Sequence, residues 1–293
     1  MAALFYYALI FPLSKLPLSW LYGLSELLYL LVYKVLGYRK KVVWSNLSGA
    51  FPDMAVGEKK ILMNKFYCHF FDLIVESLKM FSMSENQAIN GCRMVNPELL
   101  DKYAAEGKNV LITAGHYNNW EFAAMSIGLQ IKGTPVGIYH PLKNQFFERK
   151  IHKSRSKYGM VLVSKKDTKN FLSSNQSGSI ALLMGSDQSP HDARKAFWTT
   201  FLGRETAVMF GSEKIAKEYD FVVFFGHIRK ISRGQYEMEF ELITETPKTT
   251  AYGEITIAHT RILEKDILAN PQYWLWTHKR WKRQRPEDMA VMN

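Results

Sequence analysis

His116 and Glu121 are the residues whose types and spacing most directly suggest chemistry in this chain. Residues 110–113 form an apolar run typical of a buried strand, and residues 119–130 have the pattern of a helix that begins behind an asparagine cap. Two residues five positions apart on one continuous helix would point about 140° apart and could not meet. Across a strand-to-helix turn, Glu121 can fix one ring nitrogen of His116 and leave the other free as a general base.

The same spacing has a plainer interpretation, in which a histidine closes a turn beside a glutamate that starts a helix. A single pair of this kind is expected by chance in a chain with 8 histidines and 27 acidic residues. The elements around the pair therefore have to decide between the two interpretations.

Alternating strand and helix patterns follow this turn and predict an α/β fold. The predicted strands are residues 110–113, 136–140, 160–164, 180–184, 221–231 and 235–244, and the predicted helices are residues 119–130, 145–158, 168–174, 211–219 and 252–269, with a loop over residues 191–201. Such alternation indicates a mixed, largely parallel sheet flanked by helices. The carboxyl ends of its strands would bring His116, His140, Asp187 and Gln188 to one edge, where reactive groups collect in such sheets.

Charge and cysteine content narrow the class of partner. The formal net charge is +11. The excess lies mainly in residues 39–41, 149–157, 165–166 and 279–285. Such clusters favour an anionic partner, which could be nucleic acid, acidic phospholipid, a phosphorylated substrate or an acidic carrier protein. Cys68 and Cys92 lack the neighbours of a zinc site or a disulfide framework, so we expect neither.

Residues 1–38 are the most apolar part of the chain, and we expect them to form an uncleaved membrane-anchor helix. Pro12, Pro17 and Glu26 interrupt the apolar run, which leaves a tilted span, a hairpin and an in-plane helix as alternatives. A buried pair of soluble helices is the remaining interpretation. Residues 39–293 would form a single catalytic domain, held on the cytoplasmic side by the basic residues that follow the anchor.

Residues 274–283 interleave three tryptophans with basic residues. This composition suits the stacking of nucleobases and equally the interface of a membrane. Because an anchor is predicted at the other end of the chain, we expect the membrane interface. A set of aromatic side chains that closes the core is a further interpretation, which is compatible with either of these.

Several of these segments together resemble the lipid A biosynthesis lauroyl/myristoyl acyltransferases of the lysophospholipid acyltransferase superfamily. The resemblance runs in order from residue 38 to residue 285. It rests on residues 38–52, 115–121, 139–144, 185–190, 201–207 and 274–282, with Arg149 and Arg155 between them. Two positions depart from the family pattern, since Glu121 stands where an aspartate is common and Leu202 where a phenylalanine is common. These departures bear on acyl-chain preference more than on the chemistry.

The resemblance implies a glycerolipid-acyltransferase-like fold and the transfer of a fatty acyl group. The donor would be an acyl carrier protein thioester, and the acceptor a hydroxyl of an anionic lipid A precursor at the cytoplasmic face of the inner membrane. His116 would be the general base, Glu121 its orienting acid and Asp187 the acid that closes the site. The implied substrate-binding residues are Asn118, Arg149, Arg155, Gln188 and Thr206.

No cofactor, metal or nucleic acid is expected in this reaction, because a hydroxyl can attack a thioester once an imidazole removes its proton. Donors for the oxyanion are still needed, and a backbone amide near Gly115 or the side chain of Asn118 are the candidates. Two rival hypotheses remain. One is the same chemistry on another glycolipid or glycerolipid, and the other is a non-catalytic basic protein that binds membranes or nucleic acid.

Overall fold

Seven strands form the central sheet in the computed structural model, which describes residues 1–174 and 178–293. The strands of the chain are β1 (Cys92–Met94), β2 (Val110–Ala114), β3 (Thr134–Tyr139), β4 (Val161–Ser164), β5 (Ile180–Gly185), β6 (Phe197–Phe201), β7 (Arg204–Val208), β8 (Val222–Ser232) and β9 (Gln235–Thr244). The sheet order is β1-β9-β8-β2-β5-β3-β4, and β6 and β7 form a separate hairpin. Neighbouring strands of the sheet are parallel except β8 and β9, which confirms the predicted α/β class with a largely parallel sheet.

Helices cover both faces of the sheet and make up the amino-terminal part of the chain. They are α1 (Ala2–Phe5), α2 (Phe11–Lys15), α3 (Leu18–Leu28), α4 (Lys40–Ala50), α5 (Val56–Leu78), α6 (Glu85–Gly91), α7 (Glu98–Ala105), α8 (Trp120–Ser126), α9 (Gln145–Arg155), α10 (Thr168–Ser174), α11 (Gly211–Tyr219) and α12 (Glu254–Ala269). Two π-helical turns, Tyr6–Ile10 and Tyr29–Val35, extend the first helices.

β2 lies between β5 and β8, and its side chains contribute to two separate cores. Val110 and Ile112 join the core on one face, which also holds Phe122 of α8. Leu111 joins the core on the other face, together with Ala216 of α11. Successive side chains of a strand point to opposite faces, so a strand that is covered on both faces is apolar throughout. This explains the unbroken apolar pattern of β2 in the sequence.

The hairpin of β6 and β7 replaces much of the loop that the sequence predicts over residues 191–201. Leu202 and Gly203 form its two-residue turn, and both have positive φ, 50° and 70°. Turns of this kind favour asparagine and glycine. Because a leucine occupies the first position here, the sequence lacks the usual signal for such a turn. Trp198 is buried in a small core beside the hairpin, and this packing stabilises it.

The amino-terminal apolar segment is broken at Pro17. Leu16 has the extended conformation that a following proline favours, so one helix ends at Lys15 and the next begins at Leu18. None of the helices in the described part of the chain has both the length and the apolar content needed to cross a membrane. The membrane-anchor helix predicted over residues 1–38 is therefore not supported.

Buried hydrogen bonds attach this segment to α5. Ser25 Oγ donates to Asp72 Oδ1 at 2.7 Å, and Tyr22 Oη donates to Glu76 Oε1 at 2.8 Å. The other oxygen of Glu76 accepts from Asn119 Nδ2 at 2.7 Å, and Asn119 caps the amino terminus of α8. Buried carboxylates need such partners, so these bonds connect α3 through α5 to the start of α8.

The tryptophans near the carboxyl terminus belong to the core. Trp274 and Trp276 are 2% and 0% exposed. Trp274 packs edge-on against Phe201 and against Trp276. Asn46 Nδ2 donates to the backbone oxygen of Trp276 at 2.8 Å and holds this segment in place. The prediction that these two tryptophans lie at a membrane interface is wrong, and the alternative of a closed core is confirmed.

Candidate active site

His116 and Asp187 meet at the carboxyl ends of two neighbouring parallel strands. Ala114 at the end of β2 is opposite Gly185 at the end of β5, so the turns that follow are adjacent. His116 Nδ1 lies 2.6 Å from Asp187 Oδ1. A Cβ atom on Gly185 would come within 3.1 Å of His116 Cε1, so the glycine leaves room for the imidazole ring.

Asp187 is buried, and its hydrogen bonds favour the ionised form. Its Oδ2 accepts from the backbone amide of His116 at 2.9 Å and from Trp274 Nε1 at 2.8 Å. Burial raises the pKa of this carboxyl, but the charge of His116 and these hydrogen bonds outweigh burial and hold the pKa well below its ordinary value. Asp187 is thus a carboxylate at neutral pH and fixes the orientation of the ring.

The second ring nitrogen of His116 faces Gln188. Because Nδ1 donates to Asp187, Nε2 carries the lone pair, and Gln188 Nε2 lies 3.2 Å from it. Burial lowers the pKa of His116, but the charge of Asp187, its hydrogen bond to the ring and the charge of Glu121 together outweigh burial, and the net pKa is raised. An imidazole with one nitrogen on a carboxylate and the other on a replaceable neutral group can accept a proton from a bound hydroxyl.

Glu121 pairs with Arg155 rather than with His116, which corrects the prediction that Glu121 orients the ring. Glu121 lies in the first turn of α8, and Arg155 of α9 donates to both of its oxygens, from Nε to Oε2 at 3.0 Å and from a terminal nitrogen to Oε1. A guanidinium and a carboxylate form such paired bonds because their geometries match. Asp187 reaches Nδ1 from the neighbouring strand and takes the orienting position.

Three predicted substrate-binding residues lie apart from this group. Asn118 is buried with φ of 55°, and its Nδ2 donates to the backbone oxygen of Ile228 at 2.7 Å, which holds its amide against β8 and apart from His116. Thr206 is buried in the hairpin and accepts a hydrogen bond from Trp281 Nε1. Arg149 is exposed on α9. The structure brings together the other predicted residues, which are His116, Glu121, Arg155, Asp187 and Gln188.

A cavity of about 230 Å³ opens beside these residues. His116, Glu121 and Arg155 line its polar part. Its apolar lining includes Ile112, Ala114, Trp120, Ala124, Ile138, Met160, Leu162, Leu183, Met184 and Met238. The site therefore combines a base and an ion pair with a hydrophobic surface, an arrangement that suits a hydroxyl acceptor and a hydrocarbon chain.

Two residues of the carboxyl-terminal segment belong to the site although sequence analysis does not find them. Trp274 donates to Asp187, and His278 Nε2 accepts from the backbone amide of Ser189 at 3.0 Å. Burial lowers the pKa of His278 to about 4, so its ring is neutral and can accept. No local signal links these residues to the turn after β5, because the contact depends on how residues 274–283 fold back.

Comparison with known proteins gives the family of the chain. Residues 1–283 match the family described as bacterial lipid A biosynthesis acyltransferase. A lipid A biosynthesis lauroyltransferase of Escherichia coli (strain K12) is 22% identical over 275 residues, which cover 93% of this chain and 88% of the relative. A lipid A biosynthesis acyltransferase of Haemophilus influenzae is 20% identical over 252 residues, which cover 85% of this chain and 79% of the relative. The chain therefore belongs to the bacterial lipid A biosynthesis acyltransferase family and is an acyltransferase.

Proposed function

We propose that this acyltransferase moves a fatty acyl group from an acyl carrier protein thioester to a hydroxyl of a lipid A precursor. The observation that carries the proposal is the position of His116, whose Nδ1 is held by Asp187 while the ring lines the cavity. Membership of the family supports a lipid A precursor as acceptor. The net charge of +11 favours both an acidic carrier protein and a phosphorylated lipid.

The proposed reaction uses His116 first as a base and then as an acid. Its Nε2 takes the proton of the acceptor hydroxyl while the hydroxyl oxygen attacks the thioester carbonyl carbon. The new carbon–oxygen bond pushes the carbonyl electrons onto its oxygen, and their return breaks the carbon–sulfur bond. The imidazolium gives its proton to the departing thiolate, so His116 is neutral before and after the reaction. Asp187 stabilises the imidazolium between these steps.

Gln188 is the proposed donor to the oxyanion that forms in this reaction. Its side-chain amide lies 3.2 Å from His116 Nε2, at the place that the acceptor hydroxyl must occupy. The arriving hydroxyl displaces the amide from the ring, and the amide stays within reach of the carbonyl that is being attacked. An N–H donor at this point stabilises the charge that develops on oxygen. A backbone amide near Gly115 is the second candidate.

The ion pair of Glu121 and Arg155 forms the proposed headgroup-binding wall of the cavity. A guanidinium has five N–H donors, and the two bonds to Glu121 use two of them. The other donors can bind a phosphate of the lipid A precursor. Arg149 and Lys153 are exposed on the same helix and add positive charge around it. Arg149 thus acts through its charge outside the cavity.

The proposed location is the inner membrane, with the cavity facing the cytoplasm, and an apolar surface on residues 1–38 supports contact with a membrane. The exposed large side chains of this segment include Leu4, Phe5, Tyr7, Leu9, Trp20, Leu27, Leu30, Leu31, Val35 and Leu36. Exposed apolar surface of this extent marks a site of contact with a membrane or a partner. Lys150 Nζ of α9 donates to Tyr7 Oη at 2.8 Å, so the apolar surface adjoins the helix that carries Arg155. A lipid acceptor can then reach the cavity from the membrane surface.

The test is the transfer of a labelled acyl group from acyl carrier protein to a tetra-acylated lipid A precursor, measured with the full chain in membranes. We expect His116→Ala to abolish the product. His191→Ala should retain it, because His191 is an exposed histidine outside the site. Transfer to a phospholipid or another glycolipid instead of the precursor would overturn the acceptor. Equal rates from a coenzyme A thioester would overturn the carrier protein as donor.

A further inference from the structure

A second, much smaller cavity borders Asp187 and takes no part in the proposed reaction. It lies among the turn after β5, helix α12 and the carboxyl-terminal segment. Its polar lining consists of Ser186, Asp187, His259, Thr260 and Arg280, all of which are buried. The cavity is thus a polar space inside the core, next to the carboxylate that orients His116.

Three polar atoms in this lining have no hydrogen-bond partner within residues 1–174 and 178–293. They are Ser186 Oγ, His259 Nε2 and Arg280 Nε. Buried polar groups of folded proteins are almost always hydrogen-bonded, because desolvation without a partner costs free energy. Three such atoms around one space point to a shared partner that is not part of the protein.

The size of the space identifies the chemical class of this partner. The volume open to the centre of a water molecule is about 10 Å³. One buried water needs about 10 to 15 Å³ by this measure, together with two to four polar neighbours. The cavity offers that volume and three unpartnered polar atoms, whereas an organic ligand would need more room.

We propose that one buried water molecule binds between Ser186, His259 and Arg280 and holds the turn that carries Asp187. Arg280 Nε donates to the water oxygen, the water donates to His259 Nε2, and the Ser186 hydroxyl completes the set. Arg280 Nη1 also donates to the backbone oxygen of Ala207 at 2.6 Å, which fixes the guanidinium. The water ties the turn after β5 to α12 and to the carboxyl-terminal segment.

Arg280 and His259 are positioning residues in this arrangement, a role that rests on the proposed function of Asp187. Burial lowers the pKa of His259 to about 4, so its ring is neutral and can accept from the water. Ser186 directly precedes Asp187, so a bond to Ser186 restrains the carboxylate relative to His116. Loss of the water would loosen the Asp187–His116 hydrogen bond without changing any group that touches substrate.

A high-resolution crystal structure of the full chain tests the water site directly. We expect solvent density within hydrogen-bonding distance of Ser186 Oγ, His259 Nε2 and Arg280 Nε. A dry cavity, or direct hydrogen bonds among these three side chains, would overturn the site. This measurement does not depend on acyl transfer, so a failure of the proposed function and a failure of the water site are distinguished.

Val208→Ile tests the positioning role, because Val208 lines the cavity and the added methyl group would fill it. The variant should lose the solvent density, and kcat should fall about tenfold. Residues that orient the ligands of a metal contribute about 10- to 100-fold to activity, and we expect the smaller value for a residue that orients a carboxylate. KM should stay unchanged, and the acid limb of the kcat–pH profile should move to lower pH because Asp187 raises the pKa of His116 less effectively.

Val223→Ile is the matched control, since it adds the same methyl group to a buried core position that does not line this cavity. It should change neither kcat nor the pH profile. Lost density in Val208→Ile with unchanged kcat and pH profile would overturn the positioning role. If Val208→Ile does not fold, Ser186→Ala is measured in the same way, because it removes one hydrogen-bonding partner and adds no bulk.

Discussion

His116 and His227 each place Nδ1 on an aspartate, at 2.6 Å from Asp187 and at 2.8 Å from Asp266. In both rings burial lowers the pKa, but the charges and hydrogen bonds of the neighbouring carboxylates together outweigh burial, and the net pKa lies above the ordinary value. The difference between the two sites is at Nε2. In His227 this nitrogen meets a second carboxylate, Glu241 Oε2 at 3.0 Å, whereas in His116 it meets a neutral side-chain amide.

The comparison shows that a carboxylate beside a histidine does not by itself make a general base. His227 lies between two carboxylates, so both of its ring nitrogens are engaged by acidic side chains of the protein and neither faces a substrate. Its hydrogen bonds instead join β8 to β9 and to α12. His116 retains one acceptor nitrogen, and its ring lines a cavity.

Replacing the two histidines in turn should give the largest effect and tests the comparison most directly. His116→Ala should lower kcat by about 10²- to 10⁴-fold, which is the contribution of a positioned base. His227→Gln should leave kcat close to the parent value, because the ring lies outside the site. The measurement is acyl transfer to the lipid A precursor at saturating donor. Equal losses in the two variants would contradict the distinction between the sites.

Removing the charge of Asp187 should have the next largest effect. Asp187→Asn keeps the shape of the side chain but no longer stabilises the imidazolium, so kcat should fall about 10²-fold. The carboxylate raises the pKa of His116, so its loss lowers that pKa and the neutral base persists to lower pH. The acid limb of kcat against pH should therefore move to lower pH. Asp266→Asn, the matching change at His227, should leave the limb in place.

The cavity beside His116 can be narrowed at Gly137. An added Cβ there would lie 3.3 Å from Leu162 Cδ2 and from Met160 Sδ, and both side chains line the cavity. Gly137→Ala should reduce kcat/KM for a longer acyl chain relative to a shorter one by about fourfold, which corresponds to the burial of one CH₂ at about 0.8 kcal/mol.

Competition between acyl carrier protein donors of two chain lengths measures this ratio. Gly57→Ala on α5 is the control, because an added Cβ there meets no atom within 4 Å. The ratio should be unchanged in the control. An equal change in both variants would show that the cavity does not set the preference.

The structural role of His227 should give the smallest effect, seen in the free energy of unfolding. Its raised pKa means that its stabilisation is fully present below the unfolded pKa of about 6.5 and is lost as pH rises through the higher folded value. His227→Gln should therefore be less stable than the parent by about 1 to 3 kcal/mol at low pH, the worth of hydrogen bonds to charged groups. Urea unfolding across this pH range checks the sign, and a difference that does not shrink with rising pH would exclude the charge of His227 as its cause.

Sequence analysis predicts His116, Glu121, Arg155, Asp187 and Gln188 as site residues, and the structure brings these together, but the sequence does not predict how they pair. His116, Asp187 and Gln188 follow apolar runs, and the ends of parallel strands meet at one edge, so local pattern is enough to bring them together. Which acid reaches Nδ1 depends on the sheet order, because β2 lies beside β5. Glu121 is close to His116 in sequence, yet it forms an ion pair with Arg155, a residue of another helix.

The two ends of the chain are predicted least well, because composition does not determine exposure. The tryptophans beside basic residues suggest a membrane interface, but Trp274 pairs with the backbone of Tyr117 and is enclosed by the core. Arg280 has the composition of a surface charge and is only 2% exposed. Contacts of this kind join distant segments and leave no periodic pattern to detect.

Glu76 accepts hydrogen bonds from Tyr22 of α3 and from Asn119 at the start of α8. A shortened protein begun at residue 39, the obvious choice for handling in aqueous buffer, would strip this carboxylate of one partner and uncover the α5 surface beneath. Removal of residues 1–38 would thus disturb the start of α8, next to the turn that carries His116, and would change the activity that an assay measures. Residues 1–38 should therefore stay in place during purification, with detergent or lipid covering their outer side.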